Sequence, residues 1–186
     1  DGSENPAIPP FGGQIDYLTY AGLYREVHLR VSARRRIANL KVETPDPLGP
    51  RKTVRVRAWL EGDAQGSRLL ARLLGPEGEE LARAEAAADG PEAEVAFDGL
   101  EGLRLWQPRD PALYRVALTL TSDAGEDDLS ARFGFREARF TPEGFRLNGE
   151  ALKIMGLNRH QSFPYTGYAQ GRASQRRDAE ILRWDL

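Results

Sequence analysis

The sequence predicts an all-β fold: a two-sheet sandwich of about seven short strands, followed by a segment of a different kind. Three observations carry this. Apolar and polar residues alternate through most of residues 36–137, the period of a strand with one buried face. Turn signals rich in Gly, Pro and Asp break that alternation roughly every 8–12 residues. After Arg136 the texture changes to a hairpin signal, an apolar run ending among polar residues, and a stretch of helical spacing.

Taken in order, residues 1–14 are loop-like, punctuated by Pro6, Pro9, Pro10, Gly12 and Gly13. They read as a lead-in from a preceding region. Val27, Leu29 and Val31 then alternate with His28 and Arg30, which predicts a half-buried strand. Residues 32–36 are polar and basic, and a domain boundary is placed near them. Ile37, Leu40 and Val42 start the sandwich, and the Pro-rich residues 45–50 turn the chain. Val54, Val56, Ala58 and Leu60 alternate with Arg55, Arg57 and Trp59. Residues 69–74 form a further run, closed by Gly75, Pro76 and Gly78. Residues 81–88 are rich in Ala and Glu, which favours helix by propensity, but their length and setting favour a strand. Val95 and Phe97 mark the next strand. Tyr114, Val116, Leu118 and Leu120 form the clearest alternation in the chain. A turn at Asp123-Ala124-Gly125 leads to Leu129, Ala131 and Phe133. Seven strands at this spacing are the pattern of an immunoglobulin-like β-sandwich. There is no cysteine to staple it, so its core must rest on apolar burial.

Asn148-Gly149 is a strong two-residue hairpin signal, joining residues 145–147 to an apolar strand over 151–157. That strand stops at Asn158, Arg159 and His160. Residues 173–186 read as a helix with Ser174 as N-cap. Strand, polar loop and helix in this order suggest the first βα unit of a barrel, where chemistry gathers at the strand ends.

The totals limit the function. The 26 basic and 28 acidic residues nearly cancel, which gives no electrostatic case for nucleic acid or an anionic membrane. No apolar run approaches a membrane span. The absence of cysteine excludes thiolate metal sites and fits a cytoplasmic protein. The two histidines, His28 and His160, are too few and too separated for zinc.

Five motifs stand in one order: Tyr20-Ala21-Gly22-Leu23-Tyr24-Arg25-Glu26-Val27, Leu105-Trp106-Gln107-Pro108, Gly134-Phe135-Arg136, Phe145-x-Leu147-Asn148-Gly149 and Gly156-x-Asn158-Arg159-His160 with Pro164. Together they resemble glycoside hydrolase family 2, which holds β-galactosidases, β-glucuronidases and β-mannosidases. The resemblance implies that residues 1–33 are the tail of a jelly-roll domain and residues 34–137 the sandwich. Residues 138–186 would open a catalytic (β/α)8 barrel, a TIM barrel, left incomplete here. It implies a retaining β-glycosidase in which two carboxyl groups do the chemistry. In the family both are glutamates on later barrel strands, so no acidic residue here inherits either role. Two substrate-binding residues carry over: His160, which can bond a sugar hydroxyl, and Asp16, a carboxylate reaching into the same pocket. Asn158 and Arg159 are supporting residues that brace the strand end. The loop from Gln161 to Tyr168 is closest to the galactosidase branch. Leu18-Thr19-Tyr20 departs from the Trp-Arg of some β-galactosidases and bears on the sugar. The partner implied is a β-galactoside, with no cofactor held by this chain, a divalent or sodium ion allowed in the complete enzyme, and a homo-oligomeric parent.

Plainer readings stand beside these. A histidine at a strand end is ordinarily a hydrogen-bonded boundary residue, and an aspartate like Asp16 ordinarily a turn or cap. Trp106 is read as packing the sandwich rather than stacking on sugar. The rival to an enzyme fragment is a non-catalytic immunoglobulin-like binding module. The two part at residues 138–186, which a binding module does not need.

Overall fold

The computed structural model describes residues 22–63 and 66–184, which fall into two units. One runs from Val31 to Met155. The other is made by chain on either side of it; residues 22–30 and 156–184 are its described part.

Seven strands build the larger unit: β1 (Arg36–Glu43), β2 (Lys52–Glu61), β3 (Arg68–Leu74), β4 (Glu80–Ala87), β5 (Glu92–Leu100), β6 (Tyr114–Ser122) and β7 (Gly125–Phe133). They pair antiparallel into a three-stranded sheet, β1-β2-β5, and a four-stranded sheet, β4-β3-β6-β7. Together the two make the expected sandwich. The alternation explains the pairing. On β2, Val54, Val56, Ala58 and Leu60 are buried while Arg55, Arg57 and Glu61 are exposed. On β6, Tyr114, Val116, Leu118 and Leu120 turn inward. These faces, with Ile37, Val95, Phe97, Leu69, Leu73 and Phe135, form one apolar core. A slip of one residue in either sheet would expose that whole set, so the register is strongly specified.

The helix-leaning stretch is indeed a strand. β4 pairs along β3, and Ala82, Ala84 and Ala86 pack against the core with period two. Tertiary pairing overrides helix propensity here. Tyr114 closes the corner between the sheets. Its hydroxyl accepts a hydrogen bond from the Arg104 backbone N–H at 2.8 Å, the arrangement of a tyrosine corner. Its ring packs edge-on to Phe135, with centroids 5.0 Å apart, and Phe133 stacks edge-on to Phe135 at 5.3 Å.

The basic joint before β1 is not solvated throughout. Arg35 is only 2% exposed, and its guanidinium donates to the carbonyls of Gly62, Ala88 and Gly90. It ties the β2–β3 and β4–β5 connections to the start of β1. Gly62 takes a positive φ of 89°, and a Cβ there would lie 2.1 Å from the Arg34 carbonyl oxygen, so the close approach requires glycine.

Three short strands follow: β8 (Ala138–Thr141), β9 (Gly144–Leu147) and β10 (Glu150–Ala151). Asn148 and Gly149 link β9 to β10 with φ of 53° and 81°. Positive φ at both positions is what a type I′ hairpin turn demands, and Asn-Gly meets it at least steric cost. Asn148 also anchors this hairpin to the sandwich. Its backbone N–H donates to the Glu137 carbonyl at 2.8 Å, and its Oδ1 accepts from the Glu137 N–H at 3.0 Å. Its Nδ2 donates to the Trp106 carbonyl at 3.0 Å. The Trp106 N–H in turn donates to the Phe135 carbonyl at 2.8 Å. Arg136 lies 4.9 Å from the Trp106 ring centroid, and a Cβ on Gly134 would come within 2.7 Å of the Trp106 Cβ. Three of the sequence motifs thus meet at one node, and Trp106 packs within it as expected.

Three local expectations are corrected. Val27, Leu29 and Val31 form no strand and are 75, 93 and 88% exposed. Alternation needs a partner strand to become a ladder, and none pairs with them among the described residues. The strand expected over residues 151–157 is paired only at its start, as β10; Ile154, Met155 and Leu157 join neither sheet of the sandwich and are exposed. Ser174 is not an N-cap, because the helix has already begun at Arg172.

Two substitutions test the node. Asn148→Gly keeps a residue suited to positive φ and removes only the side-chain bonds, so urea unfolding should show a loss of about 1–3 kcal/mol. Gly134→Ala drives a methyl into Trp106 and should destabilise by about 1–3 kcal/mol. A neutral result for both would show that the node does not hold the hairpin.

Candidate functional site

The candidate residues that the structure describes lie in the smaller unit. Its helix α1 (Arg172–Trp184) opens with the Gln175 N–H donating to the Gly171 carbonyl at 3.2 Å. Before it, the chain folds into a tight turn. Phe163 and Gly167 exchange backbone hydrogen bonds of 3.0 and 2.9 Å, and the Ala169 N–H donates to Thr166 at 2.9 Å. Tyr165, at the tip, has φ of 73° and is fully exposed.

Arg159 is held by helix α1 and by Gln170, two residues before the helix begins. Its guanidinium donates to Gln175 Oε1 at 2.9 Å, to Gln170 Oε1 at 3.0 Å and to Asp178 Oδ2. Gln170 is 6% exposed, and its Nε2 donates to the same Asp178 oxygen at 3.1 Å. The Gln175 Nε2 closes the set on Gln170 Oε1 at 3.1 Å. Gln175 and Asp178 are three residues apart on the helix, hence on one face. The hydrogen bond from Arg159, helped by that from Gln170, holds the Asp178 carboxyl below its ordinary value. Arg159 thus ties the chain just before His160 to the helix. The three partners were not read from the sequence; a Gln-x-x-Asp pair on the helix face was the available signal.

His160 follows this clamp directly. Its side chain is exposed and makes no hydrogen bond or ion pair among the described residues. Asn158 is likewise exposed. An imidazole on an anchored backbone, free at both nitrogens, can donate to or accept from a ligand hydroxyl. Asp16 lies outside the described residues. The segment downstream of it is described: Arg25 donates to the Tyr168 carbonyl, and the Tyr24 and Tyr168 rings lie 6.0 Å apart. The motif ending in Val27 therefore contacts the loop after His160. Among the described residues no cluster of His, Cys, Asp or Glu could hold a metal, and no helix is long and apolar enough to cross a membrane.

A three-on-four sandwich followed in sequence by this hairpin and helix has counterparts among known structures. It superposes on Bacteroides uniformis β-glucuronidase 3 with a TM-score of 0.83 and 25% identity, over 96% of this chain and 22% of that one. The family model for glycosyl hydrolases family 2 matches residues 32–136, and the chain belongs to that family. It is 47% identical to a β-galactosidase of Rhizobium meliloti over 94% of its own length and 24% of the relative's. It is 39% identical to a β-galactosidase of Thermoanaerobacterium thermosulfurigenes over its whole length and 27% of that protein. A putative β-glucuronidase of Formosa agariphila is 24% identical over 98% of the chain. The chain spans about a quarter of the length of the curated relatives it matches.

The clamp has a pH signature. The folded state binds the Asp178 proton less readily than the unfolded chain. Its stabilisation is therefore complete above the ordinary value near 3.8 and is lost as pH falls through the lowered one. A carbon-detected titration should place the Asp178 midpoint below 3.8, and Arg159→Gln should move it back up. A midpoint that does not respond to that substitution would dissolve the clamp.

Proposed function

We propose that this chain is part of a retaining β-glycosidase acting on terminal β-galactosides, with both reacting glutamates outside it. The observation that carries this reading is the 47% identity to a β-galactosidase over nearly the whole chain. Residues 1–33 then end a jelly-roll domain, residues 34–137 are the sandwich, and residues 138–186 begin a (β/α)8 barrel. The tandem of hairpin and α1 supports the last assignment. Residues 152–157 fit it as a barrel strand, whose ladder bonds come from neighbouring strands rather than from the sandwich.

In this reading His160 and Asp16 line the sugar subsite, and Asn158 and Arg159 support them. Retaining hydrolysis needs an acid/base and a nucleophilic carboxyl about 5–5.5 Å apart on either side of the glycosidic bond. The first protonates the leaving oxygen while the second attacks the anomeric carbon. Water then releases the glycosyl group, with the first carboxylate now acting as base. His160 and Asp16 contribute by bonding sugar hydroxyls as the ring distorts towards the transition state. The complete protein would be a cytoplasmic homo-oligomer; the location rests on the lack of cysteine and the assembly on the family resemblance.

A β-glucuronidase is the second reading, favoured by the structural neighbour at TM-score 0.83. Nitrophenyl glycosides separate the two. The full-length protein should cleave the β-galactoside faster than the β-glucuronide or β-mannoside. Cleavage of none of them would overturn the glycosidase reading, and the 186-residue chain alone should cleave none. In the full-length protein, His160→Ala should lower kcat/KM by about 10–200-fold, the loss of one strong hydrogen bond in the transition state. An unchanged kcat/KM would remove His160 from the subsite.

A further inference from the structure

We infer that the outer face of the four-stranded sheet carries a binding site for a multiply charged oxyanion. The two sheets treat their surface charges in opposite ways. On the three-stranded sheet, cross-strand partners are of opposite sign: Arg36 faces Glu61, Glu43 faces Arg55 and Arg57 faces Glu94. Lys41 also faces Arg57, but each has its own carboxylate, Glu43 at 2.7 Å and Glu94 at 2.6 Å. On the four-stranded sheet, Arg72 faces Arg83 and Arg115 faces Arg132. Arg72 faces Ala117 on its other side, two residues along β6 from Arg115, so the four arginines share one end of one face.

Like charges placed directly opposite destabilise a sheet. Only Arg83 is relieved, by Glu80 at 2.7 Å. Arg72, Arg115 and Arg132 make no ion pair among the described residues, and the Arg72 Nε is buried with no hydrogen-bond partner. Two other carboxylates share this face: Glu85, which acts on Arg83, and Asp128, which accepts from the Thr119 hydroxyl at 2.6 Å. Against Arg72 and Arg115 lies an open groove of about 520 Å³, lined by these two and by Ala117, Asp128, Ser130 and Glu80. That size suits a small molecule. The Arg72 and Arg115 guanidiniums, one from each like-charge pair, line it and match phosphate or carboxylate oxygens, so one multivalent anion held between them would offset charge in both pairs. The ligand class is therefore a phosphate-bearing or polycarboxylate small molecule.

The test is titration of the full chain with inorganic phosphate and with citrate, against chloride at matched ionic strength. The readouts are the thermal unfolding midpoint and the arginine Nε–H resonances. We expect saturable stabilisation by the multivalent anions and a shift confined to Arg72, Arg115 and their neighbours. Tighter binding of phosphate or of citrate names the head group. Arg115→Gln should weaken binding about tenfold or more, the worth of a charge-assisted hydrogen bond, and Arg132→Gln should weaken it less, because Arg132 does not line the groove. In chloride alone, Arg132→Gln should be no less stable than the parent, because it removes a repulsion. Stabilisation that merely follows ionic strength, binding indifferent to the variants, or a loss of stability by Arg132→Gln in chloride would each overturn the assignment.

Discussion

The reciprocal pair between Glu137 and Asn148 is the constraint on which the end of the larger unit depends. A single residue imitates a strand neighbour: Asn148 donates its backbone N–H to the Glu137 carbonyl, accepts the Glu137 N–H on its Oδ1 and donates its Nδ2 to Trp106. It can do so only because the turn places it at positive φ, where asparagine is tolerated and most residues are strained. The loop before β6, the chain after β7 and the β9–β10 hairpin are thereby held as one piece. Gly134 has no room for a side chain because Trp106 fills that space, and Trp106 is held there by the Phe135 carbonyl. The three sequence motifs that meet at this place are therefore one packing solution, not three independent signatures.

The sandwich was legible because period-two burial is written into each strand. Buried and exposed residues alternate along β2 and β6 as the polarity of the sequence does. β4 was harder, since alanine and glutamate favour a helix, and only pairing to β3 decides it. Alternation misled at Val27, Leu29 and Val31, because periodicity states which face a strand would bury but not whether a partner exists. The burial of Arg35 was not legible, for the opposite reason. Three arginines in a row look like solvated charge, and nothing local tells that the middle one is enclosed by carbonyls from two distant turns.

Less of the candidate site could be read. His160 and Arg159 stood out through a motif, whereas the groups that grip Arg159 come from 11 to 19 residues downstream. Amides make poor sequence signals, since glutamine on a helix is usually a surface residue. Once folded, Gln170 is buried and shares one carboxylate oxygen with a guanidinium, which leaves little freedom to the backbone just before His160. A rigid approach to an exposed imidazole suits recognition of a ligand whose hydroxyls must be met in fixed directions.

The burial of Arg35 among carbonyls sets it apart from the ion pairs among the described residues. Backbone oxygens neither gain nor lose protons in water at any ordinary acidity, and a guanidinium keeps its charge throughout. The grip at that end of the sandwich is therefore indifferent to acidity, and its enclosure limits weakening by salt. A lock of this kind can keep the two connections closed while carboxylate-dependent contacts elsewhere let go. Acid loosening of this protein should accordingly begin away from that joint and reach it last.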